Sequence, residues 1–126
     1  MISNRELVQR MTEAFLKGDV AAVQDYWSEN IVWYFPGRSM LAGVFHGKQD
    51  VLNHLAPAEL GASMKLTPLA YFGDEQYGAV LYEITSSLKG KTLTETRVMV
   101  CKINNEKVVE TRIYPADQYA LDDFWS

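Results

Sequence analysis

The chain has 126 residues, 48% of them hydrophobic, enough for one domain, residues 1–126, around its own core. A net charge of −4, with Lys and Arg scattered among acids, excludes a nucleic-acid footprint. No apolar run approaches the roughly 20 residues that span a bilayer, so no membrane partner is expected.

The opening MISNRELVQR lacks the apolar core of a signal peptide, and the expected setting is the cytoplasm. Ser3 and Glu6 form a capping-box pattern, and Leu7, Val8, Met11 and Phe15 follow at helical spacing as one apolar stripe. Lys17-Gly18 ends that helix. Asp19 caps a short second helix with Val20, Val23, Tyr26 and Trp27 on its buried side. NIVWYF reads as a buried strand stopped by Pro36-Gly37. Met40, Leu41, Val44 and Phe45 are too apolar for an ordinary loop, and read as a flap over an apolar mouth that returns to the body at His46. KQDVLNHLA is a third helix, with Val51, Leu52 and Leu55 inward and Pro57 ending it.

Residues 63–73, 76–88, 91–103 and 107–115 are rich in Val, Ile, Thr, Leu and Tyr and form an antiparallel meander joined by short turns. Cys101, the only cysteine, cannot form an internal disulfide and reads as a small buried apolar residue in a strand. The tail YALDDFWS carries Leu121, Phe124 and Trp125 at helical spacing and packs back on the body. Helices, a strand, a helix and a meander make an α+β domain. The curved, mostly antiparallel sheet is expected to wrap the three helices as a cone-shaped barrel whose open end is a pocket.

The two segments FLKGDVAAVQDYWSENIVWYFPGRSMLAGVFHGKQDVLNHL and VVETRIYPADQYALDDFW share several recurring pieces with a known family. They are a Gly-Asp between two helices, an aromatic strand running into PGRS, and an AG then G before the third helix. A YxxDQYALDxFW-like close completes the set. Together they resemble the SnoaL-like branch of the nuclear-transport-factor-2-like superfamily. That superfamily also holds ketosteroid isomerases, polyketide cyclases, limonene epoxide hydrolases and scytalone dehydratase. The resemblance spans nearly the whole chain. It implies a cone-shaped barrel, commonly a homodimer through the sheet, with an apolar pocket inside, and no particular activity. There are departures. Asn105-Glu106 stands where Asp-Gly is frequent, and Met99 stands where a His is common. The ketosteroid isomerase set of a general-base Asp, a Tyr and a protonated Asp has no counterpart here.

Three residues are candidates for catalysis. Asp117, marked by the family match, could pass protons as a carboxylate facing an apolar cavity, or could cap the terminal helix. His46 could serve as acid or base at the pocket wall, or bond to backbone. His54 reads as structural or exposed. Glu95 and Arg97, and again Glu110 and Arg112, lie two apart in strands and so share a face. Turned inward, Arg112 could hold an enolate oxygen; turned outward, these are surface ion pairs, which the apolar Val98, Val100, Val109 and Ile113 opposite them favour. Trp33, Phe35, Phe15, Met40, Leu41, Phe45 and Met99 are the expected ligand contacts, whereas Arg38 reads as a loop charge. No residue spacing suggests a metal site, and no cofactor motif is present. The expectation is a cofactor-free cyclase or isomerase for a small apolar carbonyl compound, the alternative a ligand-binding or scaffold dimer of the same fold.

Overall fold

The computed structural model describes residues 2–55 and 62–126. Four helices, α1 (Asn4–Leu16), α2 (Val20–Asp25), α3 (Lys48–His54) and α4 (Gln118–Phe124), accompany six strands. These are β1 (Trp27–Phe35), β2 (Gly43–His46), β3 (Ala62–Gly73), β4 (Tyr77–Leu88), β5 (Lys91–Asn104) and β6 (Lys107–Pro115). They form one curved, unclosed sheet in the order β2-β1-β6-β5-β4-β3. Every neighbouring pair is antiparallel except β1 and β6, which run parallel. The fold is the α+β cone that the sequence implies. The end of the third helix expected at Pro57 lies outside the described residues.

Local chemistry sets the elements. Ser3 Oγ accepts from the Glu6 N–H at 3.1 Å, which starts α1. Leu7, Val8 and Met11 are buried, each contributing about 2 kcal/mol of transfer free energy. Helix α1 rests on the β3–β4 hairpin at two glycines. A Cβ on Gly73 would lie 2.6 Å from the Arg5 nitrogen, and one on Gly78 would lie 2.5 Å from Val8 Cγ2. Only glycine admits so close an approach.

The three turns of the meander use two devices. Asp74 Oδ1 accepts from the N–H groups of Gln76 and Tyr77, both at 2.8 Å, and these bonds hold its carboxyl below the usual range. Lys89 and Gly90 both take positive φ, and so do Asn105 and Glu106, the pattern of tight type I′ hairpins. Asn105-Glu106 therefore keeps the backbone of an Asp-Gly turn, with Glu106 in a conformation that suits glycine better.

Two local expectations are corrected. The first strand begins at Trp27 rather than Asn30, so Trp27 belongs to the sheet and not to the second helix. The apolar flap is in part an edge strand: β2 pairs with β1, Phe45 opposite Trp33. Alternation along β2 turns Phe45 toward the core and leaves Val44 and His46 exposed. The rest of that loop is tied to the tail. The Met40 N–H donates to the Trp125 carbonyl at 3.2 Å, and the Arg38 N–H donates to Asp122 Oδ1 at 3.0 Å.

Candidate functional site

The inner face of the sheet carries an apolar core broken by one polar cluster. Along β4, Val80, Tyr82, Ile84 and Leu88 are buried while Glu83 is exposed. The tight turn at Lys89-Gly90 sets Tyr82 opposite Arg97 and Ile84 opposite Glu95. Glu95 and Arg97 therefore point inward, correcting the outward reading for this pair. Arg97 Nε and Nη2 donate to the two carboxylate oxygens of Glu95 at 3.0 and 2.8 Å, and both side chains are only 4% exposed. The Arg97 guanidinium also stands over the Phe35 ring, 5.3 Å from its centroid.

Helix α3 brings His54 to the same region. Its imidazole stacks on Phe45 at 4.2 Å and meets Phe35 edge-on at 5.0 Å, with Trp33 at 6.3 Å. Burial, reinforced by the Arg97 charge, lowers its pKa to about 4, so it is a neutral acceptor near pH 7. Burial raises the Tyr82 pKa, keeping it a protonated donor, although the Arg97 charge opposes part of that rise. Burial works against the Arg97 cation too, but Glu95 and Tyr82 outweigh it and the net shift is upward. The cluster thus offers N–H and O–H donors, one neutral imidazole and a net charge of zero, inside an aromatic wall.

The three expected catalytic residues do not converge on it. Asp117 is exposed and caps α4, accepting from the Ala120 N–H at 3.0 Å. His46 is exposed on β2, its backbone N–H donating to Asp50 Oδ2 at 3.1 Å. Arg112 lies on the outer face, bonded to Glu110 at 3.4 and 3.5 Å and 3.8 Å over the Tyr34 ring. It helps line an open rim cleft of about 550 Å³ with Tyr34, Val44, Tyr114 and Gln118.

Of the expected ligand contacts, Trp33 and Phe35 are buried on the inner face, and Phe45, Leu41 and Met99 are half-buried against the same core. Phe15 and Met40 are exposed, the first because the α1 stripe outruns the sheet beneath it, the second because it lies on the rim loop. The sequence reading of His54 was structural or exposed, and Tyr82 was not singled out. His54 follows the buried Val51 by one helical turn, and Tyr82 shares the alternation of Val80 and Ile84. Among the described residues no group of three His, Cys, Asp or Glu side chains could hold a metal ion, and no helix is long and apolar enough to cross a membrane.

Relatives share this architecture. Mb0035, an uncharacterised protein of Mycobacterium bovis, is 28% identical over 125 residues, covering 96% of this chain and 95% of its own. Bal32a, from a soil-derived mobile gene cassette, superposes with a TM-score of 0.91 at 28% identity over 98% of this chain and 96% of its own. A nuclear-transport-factor-2-like protein of Burkholderia xenovorans superposes with a TM-score of 0.85 at 22% identity, over 100% and 99% of the two chains, which speaks to the fold alone. The family model of the SnoaL-like domain matches residues 8–111, and the chain belongs to that family.

Proposed function

We propose that the inner cluster binds a small apolar carbonyl compound and that the protein is an acid–base enzyme of the isomerase or cyclase kind. The observation that carries this reading is the set of Tyr82, Arg97 and a neutral His54 gathered in one aromatic-walled region. His54 takes the proton from the carbon beside the carbonyl. The C–H electron pair forms the new C=C bond, and the carbonyl π pair moves to oxygen. Donors on Tyr82 and Arg97 hold that oxygen as charge develops on it. The proton then returns from His54 to carbon. Each step needs only proton transfer and hydrogen bonds, so no cofactor enters the proposal.

The test is solvent-deuterium exchange into 2-tetralone, followed by NMR. Wild type should exchange faster than buffer, His54→Gln should lose at least tenfold, and Asp117→Asn and His46→Gln should keep the rate. Exchange at the buffer rate, with the ketone still shifting the His54 resonances, would leave a binding module. Loss of exchange in Asp117→Asn alone would return the role to that carboxylate.

Assembly belongs to the same proposal. Ala79, Leu81, Val98 and Val100 form an apolar patch on the outer face of the sheet. A second copy of the chain packed there gives a homodimer, and Val100→Glu should shift its sedimentation to that of a monomer.

A further inference from the structure

The Glu95–Arg97 pair is more than a way to bury a cation. Arg97 spends two of its donors on Glu95 in a bidentate pair and holds its guanidinium carbon 5.3 Å from the centre of the Phe35 ring, so its remaining N–H groups are fixed in direction. Both ions are almost wholly removed from water. The pair sits beside the one imidazole of the inner face and opposite Tyr82.

We infer that Glu95 is a specificity-determining residue: as the built-in counter-anion of Arg97, it admits neutral oxygen acceptors to the inner site and rejects ligands that arrive already anionic. This rests on the reading that the inner cluster is the ligand site. A carboxylate brought against Arg97 meets a cation whose charge is already balanced, with the Glu95 oxygens 2.8 to 3.0 Å from the same nitrogens. The desolvated site would then hold one net negative charge, which could be balanced only by drawing a proton from solution onto His54, whose burial and Arg97 neighbour oppose it. A ketone brings no charge. When His54 takes its proton, the enolate and the imidazolium form together and the site stays at zero net charge. The arrangement thus favours a charge separation made inside it over an anion carried in from solution.

Probes of one ring size separate these outcomes: 2-acetonaphthone and 2-naphthoate at pH 7.5, titrated into the whole chain. The imidazole resonances localise binding, because the chain has two histidines and His46→Gln identifies the exposed one. In wild type the ketone should bind at least tenfold tighter than the carboxylate, with shifts at His54. In Glu95→Gln, which keeps a hydrogen-bond acceptor for Arg97, the carboxylate should gain at least tenfold relative to the ketone. A purely structural role for Glu95 would weaken both probes together and leave their ratio unchanged, which overturns the inference. Carboxylate binding by wild type as tight as that of the ketone overturns it as well, and leaves the inner site standing. Absence of any His54 shift with either probe overturns the inner-site reading and the inference with it. Should Glu95→Gln fail to fold, the charge-neutral pair deletion E95L/R97M decides. It should go on rejecting the carboxylate while losing at least tenfold for the ketone, and unchanged ketone affinity overturns the inference.

Discussion

The tripeptide Glu-Thr-Arg occurs twice, at residues 95–97 in β5 and 110–112 in β6, and the fold turns the two copies to opposite faces of one sheet. In β5 the charged pair is buried and bidentate at 3.0 and 2.8 Å; in β6 it is looser, 3.4 and 3.5 Å, and open to water. The threonines are reversed: Thr111 is fully buried, its hydroxyl donating to Cys101 Sγ at 3.6 Å, whereas Thr96 lies on the outer face. One residue makes the difference. Ile103 pairs with Val108 but Lys102 pairs with Glu110, so Val109 is extra, and beyond it every side chain of β6 faces the other way. Identical side chains become an interior ion pair or a surface one through the register of the neighbouring backbone.

The comparison breaks most completely at the two arginines. Arg97→Met strands the Glu95 carboxylate and should cost about 3–5 kcal/mol, much of it recovered when Glu95 becomes Leu in the same chain. Arg112→Met should leave the unfolding midpoint where it is.

A second measurement uses pH. Burial, with the Arg97 charge second, lowers the His54 pKa from the ordinary 6.5 to about 4, so between these values the unfolded chain binds the extra proton. Stability should therefore be full above about pH 6.5, fall as pH drops toward 4, and lose on the order of 3 kcal/mol across that window. His54→Gln should remove the dependence. Arg97→Met should shrink it, since the Arg97 charge is the second cause of the shift, and Arg112→Met should leave it intact. The smallest effect is expected at the buried threonine. Thr111→Val gives up only a weak bond to sulfur and should change stability by about 1 kcal/mol or less.

Much of the fold was legible in the sequence because its signals are local. The capping residues Ser3, Asp19 and Asp117, the positive-φ turns and the long Val- and Thr-rich runs each act within a few residues of themselves. The site was legible only in part, because it depends on parity carried between strands. Counting back from the Lys89-Gly90 turn sets Tyr82 against Arg97, and alternation in β4 says which side is inside, so the inner pair could have been found. No count reaches Arg112, because the bulge at Val109 carries no Gly or Pro to announce it. His46 drew attention by standing in an unusual loop, yet that loop becomes an edge strand, and alternation from Phe45 turns His46 to solvent. His54 reads from the sequence as structural or exposed because α3 is too short for its apolar face to be plain, although Val51 one turn earlier marks that face.

The position of β6 has a consequence for how the chain is made. Among the described residues it is the last strand in sequence, yet it lies between β1 and β5 and joins the β1–β2 ribbon to β3–β5. Until it emerges from the ribosome, β1 and β2 form a two-stranded ribbon with only α3 packed on its inner face, and the edge of β1 that β6 later fills is open. The meander meanwhile carries an open edge along β5. Closure must wait for contacts between distant parts of the chain, which makes it a late and slow event. During that interval the unmatched edges of β1 and β5 are both open to pairing with another chain.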